Sequence, residues 1–172
     1  MNIEELYLEA EADIKNNAFQ DAFRKHHSIL YEEPKHAPAH NSLGWLYMNQ
    51  FDDYSAAEMH FKAAMKSDPY YPHAYFHYAT LLIDQERFED LKKHLDLCLK
   101  IPTLEKSWVH AKRAIMKELN LNFVEAIKDY ERAILVSLKD DKIKEYKADI
   151  ARCKVKQEIA EENSNLFGKL KQ

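Results

Sequence analysis

Three prolines, Pro34, Pro69 and Pro102, stand 35 and 33 residues apart, and each closes a stretch with apolar residues at helical spacing. Four aromatics keep the same step: Phe19, Tyr54, Phe88 and Phe123 are separated by 35, 34 and 35 residues. Three positions after each comes a small or aliphatic residue, Ala22, Ala57, Leu91 and Ala126. A period in this range means that one supersecondary unit recurs and that the core forms by stacking its copies. Proline ends a helix because it lacks an N–H and biases the preceding residue away from helical angles. Each period therefore reads as a pair of helices closed by its proline.

Composition narrows the chemistry. Only two glycines occur in 172 residues, Gly44 and Gly168. Phosphate-cradling loops and dinucleotide fingerprints need several glycines close together, since only glycine lets the backbone approach a phosphate so closely. A P-loop nucleotidase and a Rossmann oxidoreductase are excluded, and a hairpin-rich β protein is not expected. The net charge is −4, with 16 Lys/Arg against 22 Asp/Glu in residues 1–138 and nine against seven in 139–172. Neither block has the basic stripe that nucleic acid requires, so no nucleic-acid partner is expected. No segment is long and apolar enough for a membrane span, so no membrane partner is expected. The first residues, Met-Asn-Ile-Glu-Glu, lack the apolar region of a secretory signal, and a cytoplasmic location is expected.

The best-preserved period, 37–71, reads His40-x2-Leu43-Gly44-x2-Tyr47, then Ala57-x3-Phe61, then Pro69. The next, 72–104, reads Tyr75-x2-Tyr78-Ala79-x2-Leu82, then Leu91-x3-Leu95, Cys98 and Pro102. These residues resemble the tetratricopeptide repeat (TPR) pattern of an aromatic, Leu-Gly and Tyr on one helix, then Ala-x3-Phe on a second and a closing Pro. The copy at 3–36 keeps Phe19, Ala22 and Pro34 but carries Glu9 and Asp13 at apolar slots, which suits an end repeat with a polar outer face. The copy at 105–138 keeps Phe123, Ala126, Tyr130 and Ala133 without a proline. Its leading aromatic slot falls on Trp108 with a longer turn, or on His110 with Ala114 at the small position, and both registers stand. Residues 139–163 read as one capping helix with a seam of Ile143, Tyr146, Ile150 and Cys153. Residues 164–172 are expected to fray around Leu166, Phe167 and Leu170.

The expected fold is all-α: an α-α superhelix, or TPR solenoid, of about four hairpins over 1–138, with a capping helix and short tail over 139–172. Small residues at Gly44, Ala57, Ala64, Ala79, Cys98, Ala126 and Ala133 are expected where paired helices touch.

The search for catalytic chemistry returns little. There is no Gly-x-Ser-x-Gly elbow, and Cys98 and Cys153 read as buried structural thiols. His73 and His77 share a helix face but have no third ligand, and the pairs His36/His40 and His26/His27 read as surface or groove histidines. Adjacent carboxylates such as Asp52-Asp53 and Asp140-Asp141 do not face each other on a helix and read as caps and solvated charges. No enzyme activity, metal or cofactor is expected.

The resemblance implies a concave surface lined by the first helix of each pair and suited to an extended or helical peptide. Carried over by position, the inner-facing candidates are Tyr7, Asn41, Trp45, Met48, His73, Phe76, His77, Thr80, Ile83 and, in one register, Trp108. Trp45 follows Gly44 on the face opposite Leu43 and Tyr47. It is either a groove anchor or a packing residue, and loss of its ring with little change in melting would mark the groove. Chaperone-binding TPR domains clamp a carboxylate with Lys and Asn; here the slots hold Tyr7, Glu11, Ser42, His73 and His77, with Asn41 one position off, so that clamp is not reproduced. The expected function is a non-enzymatic interaction module or scaffold for an unidentified protein or peptide. The alternatives are a small secretion-type TPR chaperone for a client protein, or a structural unit that forms homo-oligomers.

Overall fold

The computed structural model describes residues 2–169, with side chains through residue 163. Among these residues there are nine α-helices and no strand. They are α1 Ile3–Lys15, α2 Phe19–Glu32, α3 Ala37–Gln50, α4 Tyr54–Ser67, α5 Pro72–Asp84, α6 Phe88–Lys100, α7 Lys106–Leu119, α8 Phe123–Val136 and α9 Asp140–Lys169. Phe19, Tyr54, Phe88 and Phe123 are each the first residue of an even-numbered helix up to α8, which explains their common step. The partners three residues on, Ala22, Ala57, Leu91 and Ala126, are all completely buried. Pro34, Pro69 and Pro102 each fall two residues beyond the end of a helix, where the missing N–H costs no helical bond.

The helix starts follow from local chemistry. Asn2 caps α1 by accepting from the Glu4 amide at 3.1 Å, and Glu4 and Glu5 complement the helix dipole. Asp53 caps α4 in the same way, accepting from the Ala56 amide at 2.9 Å. The His36 ring replaces the usual cap on α3, its Nδ1 accepting from the Ala39 amide at 3.0 Å. The turns that follow α1, α3, α5 and α7 each contain one residue in the left-handed region, Asn17 (φ 60°), Asp52 (φ 51°), Glu86 (φ 53°) and Leu121 (φ 58°). None is glycine, so the chain makes these turns with its two glycines placed elsewhere.

The chain divides into two compact units, residues 1–87 and 88–172. In the first, α1 packs on α2, α2 on α3, α3 on α4, and α5 on both α4 and α3. One cluster gathers Ala22, Leu43 and Leu46 with Phe19, Phe23 and Trp45 at its margin. The charged slots of the first period are filled by pairing: Lys25 Nζ lies 2.8 Å from Asp13 Oδ2 and 3.2 Å from Glu9 Oε2, so both acids turn towards α2 of their own hairpin.

In the second unit, α7 packs on α6 and α8, and α9 lies on α8. Its cluster joins Ala111, Ala114, Ala126, Tyr130 and Ala133 to Tyr146 and Cys153 of α9, with Ile150 packed against it, so three of the four seam residues read from the spacing lie on the α7–α8 hairpin. Ala114 is fully buried in the same cluster as Tyr130, so it occupies the small position of this hairpin and the register with His110 in the aromatic slot applies. The helix runs to Lys169, beyond the point where fraying was expected. The side chains of Leu166, Phe167 and Leu170 lie outside the described residues.

Candidate functional site: a small polar and aromatic cavity in the first unit

Tyr7, Glu11 and Ile14 follow one another at four- and three-residue steps, so they form a single stripe along α1. Glu11 and Ile14 line a cavity of about 190 Å³ whose other walls are Asn41, Ser42 and Trp45 of α3 and His77 of α5. Ser42 Oγ donates to Glu11 Oε1 at 2.6 Å. His77 Nδ1 lies 2.8 Å from Asn41 Oδ1, which fixes both side chains. Behind Glu11, the fully buried His26 places Nε2 at 3.4 Å from the same Oε1. Burial raises the Glu11 pKa, but the neighbouring His26 ring and the Ser42 hydrogen bond outweigh it and hold the carboxyl below its usual value.

Trp45 is half-buried. It packs against Phe19, with ring centroids 6.2 Å apart, and against the Ala22–Leu43–Leu46 cluster, and it also lines the cavity. Tyr7 is half-buried, edge-on to the His26 ring and tilted against His36, and its phenol is pushed up chiefly by burial. Thus Asn41, Trp45 and His77 come together in one cavity, and Tyr7 lies outside its lining, against the His26 ring behind Glu11.

The remaining candidates are placed differently. Met48 is only 7% exposed, so it offers a partner almost no surface. Thr80 Oγ1 donates to the Phe76 carbonyl of its own helix at 3.1 Å. His73 is exposed beside Tyr71, and Phe76 is 38% exposed. Ile83 is half-buried in α5, and Trp108 is half-buried in α7 of the second unit.

One of the histidines read as surface or groove residues, His26, is part of the interior, and His40 is half-buried against the buried His60. His26 is completely buried, and His40 Nδ1 lies 3.0 Å from His60 Nδ1, with His60 stacked on Tyr47 at 5.4 Å. Adjacent histidines in α2 diverge, which sends His26 inward while His27 packs on Phe23. The reason sequence does not reveal this is that an imidazole stacks on aromatics as well as it accepts water. Among the described residues, no group of three or more His, Cys, Asp or Glu side chains could hold a metal ion. Both thiols are fully buried, and burial pushes Cys98 up to about 12 and Cys153 up to about 11, far from a reactive thiolate. No described helix is long and apolar enough to cross a membrane.

Paired helices, small residues at their contacts and one left-handed residue per turn define a helical-hairpin repeat protein. The solved structures it resembles are of that kind. PilF of Pseudomonas aeruginosa matches with a TM-score of 0.74 and 16% identity, over 97% of this chain and 75% of that one. A thermophilic TPR protein of Thermus thermophilus matches at 0.72 and 14%, over 90% and 82%. A TPR protein of Parabacteroides merdae matches at 0.72 and 20%, over 91% of this chain, which spans 60% of that protein's length. No family model and no curated protein matches the sequence. The chain has the tetratricopeptide repeat fold, of the all-α helical-hairpin solenoid class.

Proposed function

We propose that this protein is a non-enzymatic interaction module that holds a segment of a partner protein against the α1–α3–α5 side of its first unit, with Tyr7, Trp45, Phe76 and His77 as the contact set and the buried Asn41 positioning His77. The TPR fold supports a protein-interaction or scaffold role in general. The observation that carries the specific site is the cavity at Trp45, where an aromatic face stands beside the fixed Asn41–His77 pair. Large rings supply contact area at low entropic cost, and oriented polar groups pair with a peptide backbone. A photocrosslinking residue at Phe76 is expected to capture the partner, whereas one at Met59 of α4, 60% exposed, is not. Equal capture from both positions would remove the site.

A second reading, self-assembly, draws on Leu135 and Leu138, which are 84% and 99% exposed near the end of α8. Sedimentation tests it: a concentration-independent monomer removes it, and an oligomer dispersed by Leu138→Glu supports it.

A further inference from the structure

Resting on that reading of the groove, we infer that the cavity selects a basic side chain, arginine or lysine, of the bound peptide, with the Glu11 carboxylate and the Trp45 ring as its recognition pair. Glu11 Oε1 is already engaged by Ser42 and His26, while Oε2 takes part in no hydrogen bond or ion pair among the described residues. An acid held in its charged form, partly withdrawn from water and left with an open oxygen, is a receptor for a cation. Lys15, one turn along α1, forms no ion pair with Glu11 among the described residues and acts on its carboxylate only through space, which leaves Oε2 without a cation in contact. Trp45 supplies the second element, because an aromatic face attracts a cation through its quadrupole. The cavity is below the roughly 300–1,000 Å³ of small-molecule sites, and its volume suits a single side chain.

Charge at longer range points the same way. Residues 1–87 carry seven Lys/Arg against 14 Asp/Glu, a net of −7, whereas residues 88–172 carry 18 against 15, a net of +3. The negative field of the molecule is therefore concentrated in the unit that contains the cavity. Such a field speeds the approach of a basic segment and disfavours an acidic one.

The test is selection of a displayed random 12-residue peptide library on the full chain. The expected outcome is enrichment of sequences with Arg or Lys whose binding requires Trp45. Replacing that residue of a selected peptide by glutamine is expected to weaken binding about tenfold, as for loss of a charged hydrogen bond, and added salt to weaken the original peptide. In Glu11→Gln, which retains an acceptor for Ser42, the difference between the Arg and Gln peptides is expected to vanish. The peptide substitution leaves the protein untouched, so it stands even if that variant folds poorly. Peptides that need Trp45 but not a basic residue would keep the groove and overturn the cation preference. Binding indifferent to Trp45→Ala, or no selected sequence at all, would overturn both. A dimer that Glu11→Gln disperses would assign the cavity to a second copy of the chain and also overturn the proposal.

Discussion

Gly44 and Phe61 meet so closely that a Cβ on Gly44 would stand 2.6 Å from Cε1 and 2.7 Å from Cδ1 of the Phe61 ring. Phe61 is completely buried, so the ring has nowhere to withdraw. In an exposed helix, Gly→Ala gains about 1 kcal/mol of helix propensity. Here overpacking of about 1–3 kcal/mol opposes that gain. Gly44→Ala is expected to lower the urea unfolding midpoint, and Phe61→Leu in the same chain to recover part of the loss. A stabilised single variant would show that the α3–α4 contact is looser than the distances imply.

Leu121 carries the opposite kind of strain. It is a branched residue at φ 58°, 75% exposed, in the turn position that Asn17 and Asp52 occupy in other hairpins. Left-handed backbone costs a residue of this type about 1 kcal/mol, and glycine and asparagine less. Leu121→Gly or Leu121→Asn is expected to raise stability by about 0.5–1 kcal/mol in denaturant unfolding, while Asn17→Gly changes it little.

Glu118 fastens the capping helix. Arg152 donates from Nε to Oε1 at 2.8 Å and from Nη2 to Oε2 at 2.7 Å, Lys156 Nζ donates at 2.8 Å, and Tyr130 donates its hydroxyl at 3.2 Å. The Arg152 hydrogen bonds hold the carboxyl at about 2 against the opposing effect of burial, with Lys156 adding to the pull. A lowered native pKa means that the unfolded chain takes the proton first. The stabilisation is therefore complete above the ordinary carboxylate value and is lost as pH falls from about 4.5 towards 2. Glu118→Gln is expected to cost about 2 kcal/mol at neutral pH and to flatten the acid limb of the stability curve. Amide exchange in α9 would report where the loss occurs.

The histidine cluster of the first unit titrates in a milder range. Burial, reinforced by neighbouring His40 and His27, pushes His60 down to about 4, and burial also lowers His27, His36 and His40. An unfolded histidine binds its proton near 6.5, so stability falls as pH drops from about 6.5 towards 4. Urea midpoints at about pH 7.5, 6 and 5 are expected to decline in that order, and His60→Phe to reduce the slope. A flat profile in the wild-type chain would contradict the buried neutral pair.

Trp45→Ala is expected to do two things, since the ring packs on its neighbours and also lines the cavity. Lost packing against Phe19 and the Leu43–Leu46 cluster should cost about 1–3 kcal/mol of stability. Capture of the partner should also weaken, whereas Phe19→Leu should lower stability alone. Both variants are read by thermal melting and by partner binding at a temperature where each remains folded.

The sequence by itself determined the repeat. Phe19, Tyr54, Phe88 and Phe123 begin helices, Pro34, Pro69 and Pro102 end them, and alanines at fixed offsets are buried, because helix starts, stops and faces depend on residues a few positions apart. Gly44 likewise identified its own role, as only a missing Cβ admits Phe61. What tertiary structure alone decided was the fate of the polar residues. Nothing local to Glu11 or Glu118 names its partner, yet one borders a cavity with Ser42, 31 positions away, and the other binds Arg152, 34 positions away. A carboxylate or an imidazole is compatible with water, a cation or a buried partner, and only the neighbours that packing supplies select among these. The scaffold is written in local spacing. The polar cavity arises where distant residues are brought together.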